Sequence, residues 1–142
     1  KEYIVIGREF EFFFFIYPTA PFLSAKILSD AMQLLKEEKV DSVLPIVPYS
    51  FPPQRSFYLE NGFIKYQYPE YMLKRSQDLQ PIYHDAGQFY CGKVESFQKQ
   101  NKFVMEKTLP ILLNPLEVQD IDNLEDWILA EMKYRINAGE KE

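Results

Sequence analysis

The chain has 142 residues, 46% of them hydrophobic and 16% aromatic, which is enough for one domain with a packed core over residues 1–142 and excludes a disordered polymer. Net charge is −5 and the basic residues are scattered, which excludes the clustered basic face that nucleic-acid binding requires. A negatively charged substrate would need a locally basic pocket instead.

Lys1 opens the chain without a methionine and without turn chemistry, which reads as a boundary inside a longer protein. No basic stretch leading into an apolar one marks a secretory leader. Residues 12–17 (FFFFIY) form a continuous apolar run, typical of a central strand buried on both faces of a parallel sheet. The run is too short to span a bilayer, so no membrane partner is expected. Pro18-Thr19-Ala20-Pro21 ends it. Ser24 is the expected N-cap of a helix reaching about residue 38, with Leu28, Ala31, Met32 and Leu35 recurring at helical spacing as one buried stripe. Residues 40–47 read as a second strand, stopped by Pro48. Strand, helix, strand is a βαβ unit with a right-handed crossover.

The middle differs. Two β-prone runs, 57–59 and 63–68, flank Glu60-Asn61-Gly62, and Asn-Gly in that setting is a strong hairpin signal. Residues 71–81 are polar and irregular. The stretch 71–90 carries Lys74, Arg75, Gln77, Asp78, His84 and Asp85 between β segments, where function concentrates. Arg75 can present a planar fork to a carboxylate or phosphate, with Lys74 strengthening an anionic site; the pair also reads as a solvated basic surface. His84, the one histidine, can serve as a general base oriented by Asp85 or Asp78. No serine or cysteine nucleophile motif accompanies it, so a structural, hydrogen-bonded histidine carries more weight. Residues 88–94 form a further strand candidate entered through Gly87. Tyr17, Phe89 and Tyr90 sit at strand ends where a ligand can stack. Cys91, the single cysteine, forms no internal disulfide, which fits a reducing, cytoplasmic location. A short helix over 95–101, a strand over 109–113 and a last helix over 123–136 complete the pattern, the last with Leu124, Trp127 and Ile128 opening its buried face. This order of elements predicts α/β layers with one antiparallel excursion.

Val118-Gln119-Asp120-Ile121-Asp122 places two carboxylates two residues apart at an expected strand end. In extended backbone, residues i and i+2 share a face, so both can converge on one divalent cation. Mg²⁺ takes hard oxygen ligands and is held by one or two carboxylates plus substrate phosphates. A second use competes: Asp122-Asn123-Leu124-Glu125 has capping-box spacing, which makes Asp122 the cap of the last helix. The two uses are compatible, since a capping aspartate keeps a second oxygen. No Gly-rich phosphate loop of the GxxxxGK[ST] or GxGxxG type occurs.

Four segments together resemble one family: Tyr17-Pro18-Thr19-Ala20-Pro21-Phe22, Arg75-Ser76-Gln77-Asp78, His84-Asp85-Ala86-Gly87-Gln88-Phe89-Tyr90, and Val118 to Asp122. Their order and spacing are those of the acylneuraminate cytidylyltransferases, and most resemble the branch that activates pseudaminic acid. The resemblance implies a three-layer α/β/α nucleotidyltransferase, Rossmann-like with a mostly parallel sheet and an antiparallel hairpin excursion over about residues 50–72. It implies CTP and an acidic nine-carbon sugar as substrates, and Mg²⁺ as cofactor. Asp120 and Asp122 are then the metal-binding and catalytic pair. Tyr17, Thr19, Arg75, Gln77, His84 and Phe89 fall on or beside the sugar-contacting positions, with Arg75 facing the sugar carboxylate. The family dimerises through the excursion, so a homodimer is expected. The family also opens with a strand and a phosphate-cradling loop that match nothing here, so the resemblance implies an N-terminally incomplete domain and no turnover by these 142 residues alone. Two competing readings are a non-catalytic sugar-binding or dimerisation module on the same scaffold, and a related enzyme for another acid sugar such as KDO.

Overall fold

Phe12–Ile16 forms β1, and it continues the ladder of a strand far away in sequence. In the structure, a computed structural model that describes residues 9–37 and 39–139, β1 is followed by helix α1 (Ala25–Leu35) and strand β2 (Ser42–Pro48). Next come the hairpin strands β3 (Phe57–Glu60) and β4 (Phe63–Tyr66), short β5 (Tyr83–Asp85), and β6 (Phe89–Lys93). Helix α2 (Val94–Gln100), strand β7 (Thr108–Leu112) and helix α3 (Leu124–Ala138) complete the order. Ser24 caps α1 as its sequence predicts, its Oγ accepting from the Ile27 N–H at 3.3 Å.

The chain clusters into two compact units, one being Val47–His84 and the other the chain on either side of it. In the larger unit, β6 lies between β1 and β2 and runs antiparallel to both, with Phe14 opposite Cys91 and Val43 opposite Cys91 from the other side. β7 pairs with β2 in parallel, Val43 opposite Leu109, and β5 also pairs with β2. The expectation of a mostly parallel sheet is therefore corrected. β1 and β2 do run the same way across the α1 crossover, but β6 is inserted between them. The chain re-enters the sheet there without a crossover helix, so that strand runs antiparallel.

Period-two alternation divides the sheet residues between two faces. Phe12 and Phe14 of β1 join Phe89, Cys91 and Val43 against Ala31 and Leu35 of α1, and these make the core. Leu28 packs at its margin and Met32 stays half-buried, so the predicted α1 stripe is realised mainly by Ala31 and Leu35. The opposite face carries Phe13 and Phe15 with Phe97 of α2 and Phe103, ring centroids 5.1 to 6.2 Å apart. Helices thus cover both faces of β1. Among the described residues, however, β1 pairs with β6 alone, and Phe15 and Ile16 are exposed. The aromatic run predicts a strand fully enclosed, and this end of it is not.

Helix α3 departs from its predicted packing. Leu124, Trp127 and Ile128 are exposed, and Ala130 is its one buried residue. Polar side chains hold it instead: Lys133 Nζ donates to the Val118 carbonyl at 2.5 Å, and Asn137 Nδ2 donates to that of Leu116 at 3.0 Å. The smaller unit contains the predicted hairpin, with Asn61 (φ 53°) and Gly62 (φ 81°) both left-handed, as a tight two-residue turn requires. No helix among the described residues is long and apolar enough to cross a membrane.

Candidate active site

The loop after β1 and the segment before α3 meet in the larger unit. Thr19 Oγ1 donates to Asp120 Oδ1 at 3.0 Å, a bond between residues 101 positions apart. The other oxygen, Asp120 Oδ2, lies over the α-carbon of Gly87, where an added β-carbon would stand 3.0 Å away. Gly87 has φ +64°, a conformation natural to glycine, and its N–H donates to Asp85 Oδ1 at 2.8 Å. The second Asp85 oxygen accepts the Tyr90 hydroxyl. Burial first, then the Asp85 hydrogen bond and one with Tyr17, push the Tyr90 phenol well above its ordinary value. Tyr90 is thus a neutral donor fixed on a carboxylate, with the Tyr17 ring centroid 5.9 Å away.

The aspartate segment is pinned from below. Gln88 is buried, and its Nε2 donates to the Glu117 carbonyl at 3.0 Å while its Oε1 has no hydrogen-bond partner among the described residues. Lys133 also donates to Gln119 Oε1 at 3.0 Å, and burial lowers its pKa. Gln119 Nε2 donates to the Asp120 carbonyl and to Asp126 Oδ1. Asp126 Oδ2 accepts both the Asp122 and Asn123 N–H groups, at 3.1 and 3.2 Å.

The capping expectation for Asp122 is corrected by those last bonds. The box is Asn123 with Asp126, one residue later than Asp122 with Glu125, and Asn123 Oδ1 accepts the Asp126 N–H at 3.0 Å. The Asp122 carboxylate is consequently exposed and not spent on the helix, while Asp120 is half-buried. Among the described residues no group of three or more His, Cys, Asp or Glu is arranged to hold a metal ion. The donor chemistry of Asp120 and Asp122 still suits Mg²⁺, which is held by one or two carboxylates with substrate and water oxygens completing the shell.

The remaining predicted site residues belong to the core or to the smaller unit. Phe89 is 0% exposed and sits in the core, so it offers no surface to a ligand; alternation directs it away from Tyr90. Cys91 is equally buried, burial pushing its thiol up to about 12, which removes it as a nucleophile at neutral pH. Arg75, Gln77 and His84 belong to the smaller unit. Arg75 sends its fork to Asp78, Nε to Oδ2 at 2.8 Å and Nη2 to Oδ1 at 3.1 Å, with its side chain 72% exposed. Gln77 is exposed. His84 packs its ring on Tyr49, centroids 4.7 Å apart. Asp78 holds Arg75, and Asp85 holds the Gly87 N–H and the Tyr90 hydroxyl. The parts missed from sequence are Gly87, Lys133 and Asp126. Gly87 had a local signal in the turn chemistry of Asp85-Ala86-Gly87, and Asp126 in its capping-box spacing from Asn123.

The chain is 38% identical over 121 residues to a Helicobacter pylori protein described as pseudaminic acid cytidylyltransferase and UDP-2,4-diacetamido-2,4,6-trideoxy-beta-L-altropyranose hydrolase, covering 84% of this chain and 23% of that one. A pseudaminic acid cytidylyltransferase of Campylobacter jejuni is 32% identical over 124 residues, with 86% of this chain and 53% of the relative covered. The relatives match the family that the four motifs resemble. The CMP-N,N'-diacetyllegionaminic acid synthase of Legionella pneumophila adds 30% identity over 131 residues, with coverage of 86% and 53%. The chain thus spans about half, or less, of the curated relatives it matches. No protein-family model matches it.

Proposed function

We propose that the protein carrying this chain is a cytoplasmic cytidylyltransferase that activates an acidic nine-carbon sugar of the pseudaminic or sialic acid type with CTP. The anomeric hydroxyl oxygen attacks the α-phosphorus, the bond from that phosphorus to the β-phosphate bridging oxygen breaks, and CMP-sugar, pyrophosphate and the hydroxyl proton are released. The observation that carries this reading is the seated Asp120, held by Thr19 and Gly87 in a chain that matches such enzymes over 84–86% of its length. Asp120 and Asp122 would hold Mg²⁺, which when bound supplies positive charge against the triphosphate. Tyr17 lies beside the Tyr90–Asp85 pair, on the sugar side of this reading. Arg75, its fork held in shape by Asp78, is assigned to the sugar carboxylate, and Gln77 and His84 to other sugar groups.

The test is pyrophosphate release by the natural protein with Mg²⁺, CTP and, in separate reactions, pseudaminic acid, sialic acid and KDO. Release with a nine-carbon sugar, abolished by EDTA, is the expected result. Sugar binding without CTP consumption would make the chain a binding module. Fastest turnover with KDO would reassign the substrate.

A further inference from the structure

Gly87 meets two demands at once, and they are separable. Its φ of +64° accounts for a glycine on backbone grounds alone. That demand does not account for the contact: a β-carbon here would stand 3.0 Å from Asp120 Oδ2 and 3.1 Å from its Cβ and Cγ. Gly139 has a similar φ of +71°, yet a β-carbon there meets no atom of the described residues within 4 Å. The turn bearing Gly87 is itself fixed, because Asp85 bonds the Gly87 N–H with one oxygen and the Tyr90 hydroxyl with the other. Across the carboxylate, Thr19 holds Oδ1. Asp120 is thereby confined between a hydroxyl donor and a bare α-carbon.

We propose that Gly87 and Thr19 are positioning residues that fix the direction of the Asp120 carboxylate for its cation. This rests on the metal reading of Asp120 above. A β-carbon at 87 makes the Asp120 side chain give by a few tenths of an ångström against its Thr19 bond, while leaving every acidic group in the chain. Thr19, expected from sequence to contact sugar, acts through Asp120. Neither residue needs to touch the cation.

The test titrates Mn²⁺, with CTP present, into the natural protein and follows free Mn²⁺ by electron paramagnetic resonance. Gly87→Ala is expected to weaken Mn²⁺ at least tenfold and Thr19→Val at least threefold. Gly87→Ala added to Asp120→Asn should weaken it no further than Asp120→Asn alone, because both act through one group. Gly139→Ala carries similar backbone strain, meets no atom of the described residues, and leaves affinity unchanged. A twofold or smaller change in Gly87→Ala overturns the proposal. If Gly87→Ala does not fold, unchanged affinity in Thr19→Val overturns it. If instead Asp120→Asn leaves Mn²⁺ affinity unchanged, the metal reading fails. The positioning claim is then decided by the crystal structure of the Gly87→Ala or Thr19→Val protein. Asp120 still seated as in the native protein sinks it, and a displaced carboxylate supports it.

Discussion

Asp120 and Asp122 stand two residues apart and are in different situations. Asp120 is half-buried and restrained on both oxygens, whereas Asp122 is exposed and its carboxylate takes no part in the helix cap. A restrained carboxylate contributes direction as well as charge, and preorganised charge is worth more than charge that must first be oriented. Asp120→Asn in the natural protein should therefore lower kcat/KM for CTP at least tenfold, about 1.4 kcal/mol of transition-state stabilisation. Asp122→Asn should cost less, because water can take the place of an exposed ligand. Steady-state pyrophosphate release checks both, and an unaltered Asp120→Asn enzyme would remove that residue from the metal site. Phe89 illustrates the residue-scale error in reading this site. It adjoins Tyr90, and strand alternation sends neighbours to opposite faces, so one of the two had to leave the site.

At the scale of elements, what sequence reveals depends on whether the determining contact is local. The hairpin is legible because Asn61-Gly62 supplies two left-handed residues at the turn itself. The α1 cap and the common direction of β1 and β2 are legible for similar reasons. The insertion of β6 between them is not, since Phe14 pairs with Cys91 across a separation of 77 positions and no local pattern encodes it. The start of α3 falls between. Asp122-Asn123-Leu124-Glu125-Asp126 contains two overlapping capping boxes, and only the fold selects Asn123 with Asp126. Helix α2 offers an element-scale prediction. It is short, and Asp41 holds it from outside, Oδ1 accepting from Ser96 Oγ at 2.7 Å and Oδ2 from Gln100 Nε2 at 3.3 Å. The Ser96 bond is the largest cause of an Asp41 pKa below its ordinary value. A depressed pKa adds stability above the unfolded-state value, near ~4, that is lost as pH falls through the folded one. Asp41→Asn should thus cost roughly 1 kcal/mol in urea unfolding at pH 7. The cost should shrink toward pH 3, and an equal cost at both pH values would remove the ionised carboxylate from the account.

For the whole molecule, the unit Val47–His84 poses the open question of assembly. It has little core of its own, with Val47, Gln54 and Leu79 buried, and its main element is a two-stranded hairpin, which is marginal in isolation. The register gives that hairpin two unlike faces. Phe57, Leu59, Ile64 and Tyr66 share one, with Leu59 75% and Ile64 68% exposed. Tyr58, Glu60, Phe63 and Lys65 share the other, where Lys65 and Glu60 form an ion pair. A contiguous exposed apolar face of this kind marks an interaction surface. If the homodimer that the family resemblance implies forms on this face, a second copy covers it, and a self-complementary two-fold contact buries the same residues on both sides. Leu59→Lys with Ile64→Lys then places like charges opposite one another across the two-fold. In the natural protein this pair of changes should shift the mass measured by light scattering from dimer to monomer at micromolar concentration. Mn²⁺ affinity at Asp120 should stay within about twofold for the part of the site that one copy supplies, because no residue of the aspartate clamp lies in Val47–His84. A variant that keeps the dimer mass would put the interface elsewhere, and a monomeric parent protein would leave the apolar face to a different partner.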